Sequence, residues 1–168
     1  YTVLGRPEGL DRARKVVLPG VGHFGQMMRA LDDRGLREPI RATIRAGVPF
    51  LGICLGLQGL FVDSEEAEDL AGLKIFPGSV RRFAAGARVP HMGWNELERR
   101  KPSRLLAGLP ERPYVYFAHS YYVPESGLTA AACTYTTSYT ALLEQDNIFG
   151  VQFHPEKSQI VGKKILEN

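Results

Sequence analysis

One segment of this sequence has the composition of a reactive centre: Gly52-Ile53-Cys54-Leu55-Gly56-Leu57-Gln58. The apolar run 48–53 leads into Cys54, glycines stand two residues to either side, and a helix-spaced stretch through Leu57 and Phe61 follows. This is the arrangement of a nucleophile elbow with cysteine in place of serine. The turn is tight, so a side chain at either glycine would collide with neighbouring elements. Cys54 then stands at a helix N-terminus, where free N–H groups and the dipole favour a thiolate. A lone cysteine is more often a small buried hydrophobe, but glycines placed this way after a strand favour the reactive reading.

His154-Pro155-Glu156 supplies the partners such a nucleophile needs. Proline biases the preceding residue towards extended backbone, and in an extended segment residues i and i+2 point the same way. Glu156 therefore lies beside His154 and holds its imidazole, completing a nucleophile, base and orienting acid. The other histidines, at 23, 91 and 119, have no carboxylate one or two positions away.

Pro19-Gly20-Val21-Gly22-His23-Phe24-Gly25 contains a literal G-x-G-x-x-G between a strand and a helix. A dinucleotide site would need an acidic residue about 20 positions further on, at the tip of the next strand. Asp32, Asp33 and Glu38 fall inside helical stretches instead, and the next strand ends in Cys54. The segment reads better as a loop whose backbone N–H groups approach a developing anion. Glycines on both sides of Val21 would let its peptide rotate towards that anion.

The elements that must carry these residues are legible in outline. Lys15–Leu18 reads as a buried strand closed by Pro19-Gly20, and 24–34 and 36–46 as amphipathic helices stopped by Gly35 and Gly47. The run 48–53 lacks alternation, which suits a strand buried on both faces of a parallel sheet. Acidic residues 63–69 read as a solvated helix end and loop. Segments 78–83, 113–118, 128–135, 140–144 and 148–154 are short and β-rich, with a hairpin turn at 145–147. Residues 158–166 form a closing helix with Ser158 as N-cap. The expectation is one α/β domain over 1–168, a mostly parallel central sheet flanked by helices, with an antiparallel β excursion in the second half.

Composition excludes several classes. The 168 residues carry 21 Lys and Arg against 18 Asp and Glu, a net +3 with no clustered basic stripe, so no nucleic-acid partner is expected. Two cysteines, Cys54 and Cys133, with no C-x-x-C argue against a disulfide scaffold or a cysteine-based zinc site; no metal is expected. Cys133, in a small-residue strand, reads as a packed thiol. No apolar run approaches a membrane span and no signal pattern opens the chain, which points to a cytoplasmic protein.

PGVGHFG, PFLGICLGLQ, PHMGWN, YFAHSYY and VQFHPEKS, in this order, resemble the triad (class I) glutamine amidotransferases over essentially all 168 residues. Within them PHMGWN and HSYY are similar to the glutamine amidotransferase subunits of imidazole glycerol phosphate synthase, a histidine-biosynthesis enzyme. The resemblance implies a flavodoxin-like core and L-glutamine as substrate, with Cys54 as nucleophile, His154 as base and Glu156 as orienting acid. It further implies an oxyanion hole from the backbone of Leu55, Val21 and Gly22, and a glutamine cradle from Gln58, Gly22, Ser120 and Tyr121. Ammonia would pass to a cyclase (synthase) subunit in a heterodimer, docked near Trp94, Asn95 and Lys157, with no cofactor in this half. The family opens with a further strand and helix, so an N-terminal βα unit is expected to be lacking here. Gly59 stands where the family has a large apolar residue. The alternatives are a glutaminase serving another synthase, a cysteine hydrolase or peptidase of the same fold, and a non-catalytic binding subunit.

Overall fold

The computed structural model describes all residues 1–168. The chain runs β1 (Val16–Gly20), α1 (Phe24–Asp33), α2 (Arg37–Arg45), β2 (Phe50–Cys54), α3 (Leu55–Gln58), β3 (Asp63–Ser64) and β4 (Ser79–Arg82). It continues through β5 (His91–Glu96), β6 (Glu98–Arg99), β7 (Tyr114–His119), β8 (Tyr121–Tyr122), β9 (Thr129–Thr134), β10 (Ser138–Gln145), β11 (Ile148–Val151) and α4 (Gln159–Glu167).

The main sheet has six strands in the order β1-β2-β11-β10-β9-β6. β1, β2 and β11 run parallel, and β10, β9 and β6 extend the same sheet by antiparallel pairing. The antiparallel excursion is thus part of the central sheet, with two further small sheets, β3-β4-β8 and β5-β7, beside it. β2 lies between β1 and β11, and its residues feed two separate cores. Phe50 joins α1 and α2 through Phe24, Met28, Leu31, Ile40 and Ile44. Ile53 and Cys54 face Phe117, Phe153 and Ile165 on the other side. Burial on both faces is why this strand lacks polar alternation. Fully burying a Phe or Ile contributes about 1.5–3 kcal/mol, so these two layers set the sheet's place between the helices.

Several sequence expectations need correction. The helix after Cys54 is only four residues long, because the chain beyond it turns to the 72–76 segment. Leu73 N–H donates to the Gly59 carbonyl, and both Ile75 and Phe76 donate to that of Leu60. Leu57, Leu60 and Phe61 are buried as helical spacing implies, but their segment is tied across space. The 63–69 stretch is not merely solvated: β3 pairs with β4, and Glu66 Oε2 accepts from the Phe24 N–H at 2.7 Å. A carboxylate at a helix start satisfies an otherwise orphaned donor. Ser158 precedes α4 but makes no side-chain cap; its hydroxyl donates to the His154 carbonyl and accepts from Tyr116 N–H. β5 has no strand-like apolar alternation, with Gly93 at its centre, and its pairing with β7 holds it extended.

The β2–α3 junction permits almost no added atoms. A Cβ on Gly56 would stand 1.9 Å from the Leu18 carbonyl oxygen, and one on Gly52 2.5 Å from that of Gly56. Gly59 differs: it has helical angles, and its Cβ would meet Met27 Cε at 2.8 Å, the end of a flexible side chain. In urea denaturation, Gly56→Ala should cost about 3 kcal/mol or more. Gly59→Ala should change stability by no more than about 1 kcal/mol, because helical propensity offsets the displaced methyl.

Candidate active site

Where β2 ends, the chain reverses into α3 through Cys54, whose φ of 53° is left-handed and unusual outside glycine. Such a conformation costs about 1–3 kcal/mol and persists only when its surroundings dictate it. Here the two close-packed glycines do so. The strain aims the thiol into a cleft of about 280 Å³, which His154, Leu55, Gln58, Val21 and Gly22 also line.

His154 follows β11 in extended backbone and is buried, and its Nδ1 lies 2.7 Å from Glu156 Oε1. The carboxylate can only accept, so Nδ1 carries the proton and Nε2 is left as the basic nitrogen. The structure thus brings Cys54 and His154 to one cleft with Glu156 behind the histidine, as spacing suggested.

The expected help from a helix dipole is a different matter. α3 spans one turn, and burial pushes the Cys54 thiol up to about 11, with the Leu55 N–H pulling the other way. Desolvation of the charged form outweighs one hydrogen bond. The resting group is a thiol.

The glycine loop is also less free than the sequence implied. Gly20 is the last residue of β1, paired with Cys54, and a Cβ there would come 2.7 Å from Leu55 Cβ. Its role is close approach. Gly22, at φ 96°, retains the conformational freedom, and Val21 is 80% exposed at the cleft.

Gln58 is buried and its Nε2 donates to the Tyr121 carbonyl at 2.9 Å and to Gln152 Oε1 at 3.0 Å. Ser120 and Tyr121 line the cleft, but the Tyr121 carbonyl is held by interior donors, Gln58 and His119 Nδ1. Sequence reasoning missed Glu66, a carboxylate at the cleft read as part of a solvated run, and Gln152, one position from a strand end. Glu66 is marked out by its pairing with an orphaned helix donor, which is visible only in three dimensions.

Trp94 is 46% exposed and meets Tyr116 edge-on, while the Lys157 ammonium lies 5.8 Å from the same ring. Met92, two residues before Trp94 on β5, shares its exposed face. Asn95 differs: its Nδ2 donates to the Thr134 carbonyl and its Oδ1 accepts from Glu96 N–H, so its side chain is engaged within the chain. No three His, Cys, Asp or Glu side chains are grouped so as to hold a metal ion. No helix is long and apolar enough to cross a membrane.

Behind the cleft lies a buried polar cluster. His119 Nδ1 must donate to the acceptor-only Tyr121 carbonyl, so its Nε2 accepts from Tyr139 O–H, and that oxygen accepts from His91 Nδ1–H. Burial lowers His91 to about 4 and His119 to about 3, so both are neutral at pH 7. Cys133 is a free, fully buried thiol in the same layer.

A fold of this construction defines a class. A model of the family "Glutamine amidotransferase class-I" matches residues 8–168, and the chain belongs to that family. Solved structures share its fold: a glutamine amidotransferase crystal structure at TM-score 0.74 and 19% identity, covering 98% of this chain and 83% of that one. PurLQS from Thermotoga maritima matches at TM-score 0.72 and 19% identity, with coverage of 98% and 82%. Among curated relatives, the chain is 48% identical over 168 residues to imidazole glycerol phosphate synthase subunit HisH of Desulfitobacterium hafniense, covering 99% of this chain and 80% of the relative. It is 52% identical to the subunit of that name from Microcystis aeruginosa, covering 96% and 79%.

The neutral histidines set an acid limit. The unfolded chain protonates them below about pH 6.5. Their folded pKa values are depressed, so their stabilisation is complete above 6.5 and is lost as pH falls towards 4 and 3. Stability from urea denaturation should be lower at pH 4.5 than at pH 7 by up to about 5 kcal/mol, and Tyr139→Phe should lower stability even at pH 7.

Proposed function

We propose that this chain is the glutaminase subunit of an imidazole glycerol phosphate synthase. It would hydrolyse L-glutamine to glutamate and ammonia and pass the ammonia to a cyclase subunit. The observation that carries the chemistry is the convergence of a strained Cys54 and a Glu156-oriented His154 on one cleft. The assignment to this synthase rests on relatives about half identical over four fifths of their length.

Glutamine enters with its side-chain amide over Cys54. Glu66 offers a carboxylate to the α-ammonium group, with Gln58 and the Ser120–Tyr121 segment beside it. His154 Nε2 takes the thiol proton as Sγ attacks the amide carbon, which removes the need for a standing thiolate in a dry site. The Leu55 N–H and the Val21-Gly22 peptide receive the developing oxyanion, each such donor being worth about 10²–10³ in rate. His154 then protonates the departing ammonia, leaving a glutamyl thioester. Water activated by the same nitrogen releases glutamate. Both bond-breaking steps use one proton carrier, so Glu156 must keep the ring from turning.

The exposed face with Met92, Trp94 and Lys157 lies next to this machinery, since Lys157 lines the cleft as well. We assign it as the docking face for the cyclase. An aromatic anchor such as Trp94 is the kind of residue that dominates an interface. Two free thiols suit a reducing compartment, the cytoplasm.

Three measurements test this reading. Cys54→Ala should remove glutamate release while the assembled synthase still makes product from added ammonium salts. Cys133→Ser, in the buried layer, should leave kcat within a few-fold. Glutamate release should be negligible for the subunit alone and rise by orders of magnitude with the cyclase and its nucleotide substrate. Glutamate release by Cys54→Ala at the unmodified rate would refute the assignment.

A further inference from the structure

We infer that Gln152 is a positioning residue for the attacking sulfur, its amide N–H directed at Cys54 Sγ and its amide oxygen fixed by Gln58. The inference rests on the reading of Cys54 as nucleophile. Gln152 is fully buried and is not among the residues lining the cleft, so it touches the nucleophile from behind.

The orientation of its amide follows from a chain of donors and acceptors with one fixed end. The Tyr121 carbonyl can only accept, so the Gln58 group facing it at 2.9 Å is the NH₂. That same nitrogen lies 3.0 Å from Gln152, which must therefore present its oxygen. The Gln152 nitrogen is left facing Cys54 Sγ at 3.6 Å. His119 and Tyr139 support the fixed end, since His119 Nδ1–H occupies the Tyr121 carbonyl from the other side.

The sulfur needs such a donor. Burial disfavours its charged form, and the carboxylates of Glu156 and Glu66 oppose it further. The neutral His119 and the base His154 line the same cleft, and the Ala118 carbonyl, 4.0 Å from Sγ, suits only the protonated thiol. Leu55 N–H also reaches the sulfur, but in the mechanism above it serves the substrate oxyanion. Gln152 N–H has no substrate atom to serve. It can stay with the sulfur from attack to thioester release, favouring the thiolate both as it forms and as it leaves.

The test is alkylation of Cys54 by iodoacetamide in the full chain, followed by mass mapping of the Cys54 peptide. Gln152→Met keeps the shape and removes the donor. Raising the thiol pKa by about one unit should slow neutral-pH labelling roughly three-fold, the tenfold loss of thiolate being partly offset by greater basicity. With the cyclase bound, kcat should fall more than KM rises. If Gln152 merely fills space, its replacement loosens the packing and labelling of the buried thiol stays equal or speeds up; either result overturns the inference. Gln152→Glu covers the case in which the methionine variant does not fold, because it retains an acceptor for Gln58. Its labelling rate should climb less steeply than the unmodified protein's between pH 6 and 9, as a carboxylate ionises beside the sulfur. Parallel profiles would overturn the inference. Labelling does not depend on glutamine, so a failure of the glutaminase assignment would appear separately, in the Cys54→Ala assay.

Discussion

The closeness of the Gly56 backbone to the Leu18 carbonyl is the constraint on which this structure turns. It allows α3 to start directly over β1, which forces the chain at Cys54 into a left-handed conformation. Gly52 and Gly20 make room on the remaining sides, so strand, turn and helix meet with backbone against backbone. A packed interior does not yield by a whole ångström, which is why the thiol's direction is a property of the sheet. Everything else in the cleft is placed relative to that thiol. β11 pairs with β2 in parallel and delivers His154 just beyond its end, and the β1 loop arrives from the other side.

Burial then decides the electrostatics. The same desolvation that keeps His91 and His119 neutral holds Cys54 as a thiol, so the sulfur itself carries no ready-made charge. This suits an enzyme whose ammonia is useful only when an acceptor is waiting. A standing thiolate would react with any electrophile, whereas a thiol with an oriented imidazole reacts when substrate completes the geometry. The neutral histidines contribute structure in another way: each has one donor and one acceptor nitrogen, so together with Tyr139 they transmit a single hydrogen-bond direction to the Tyr121 carbonyl.

The exposed face at Trp94 and Met92 is tied directly to the interior. On the side of Trp94 and Met92, β5 and β7 form a ribbon apart from the main sheet, with His91 turned inward to stack on Phe117 and Tyr135. The alternation of one strand thus joins an interior aromatic layer to an outward apolar face. Lys157 links that face to the cleft through the Tyr116 ring. Motion of the ribbon would be felt at the site, since His119 ends β7 and the following residues line the cleft.

What the sequence determined alone was local and short in range. The glycine spacing about Cys54, the two-residue interval from His154 to Glu156 and the periodicity of α1 and α2 each refer to neighbours within one turn or one strand, where covalent geometry fixes the outcome. The helical spacing beyond Leu57 was equally clear yet did not yield a long helix, because carbonyls 59–61 bond to residues more than ten positions away. Glu66 looked like one acid among several until its carboxylate met the Phe24 N–H, forty-two residues distant. Gln152, Tyr139 and the tautomers of His91 and His119 were silent for the same reason. A hydrogen bond across the fold leaves no period in the sequence, and desolvation, which set the state of Cys54, depends on how many atoms surround a group rather than on which residues precede it.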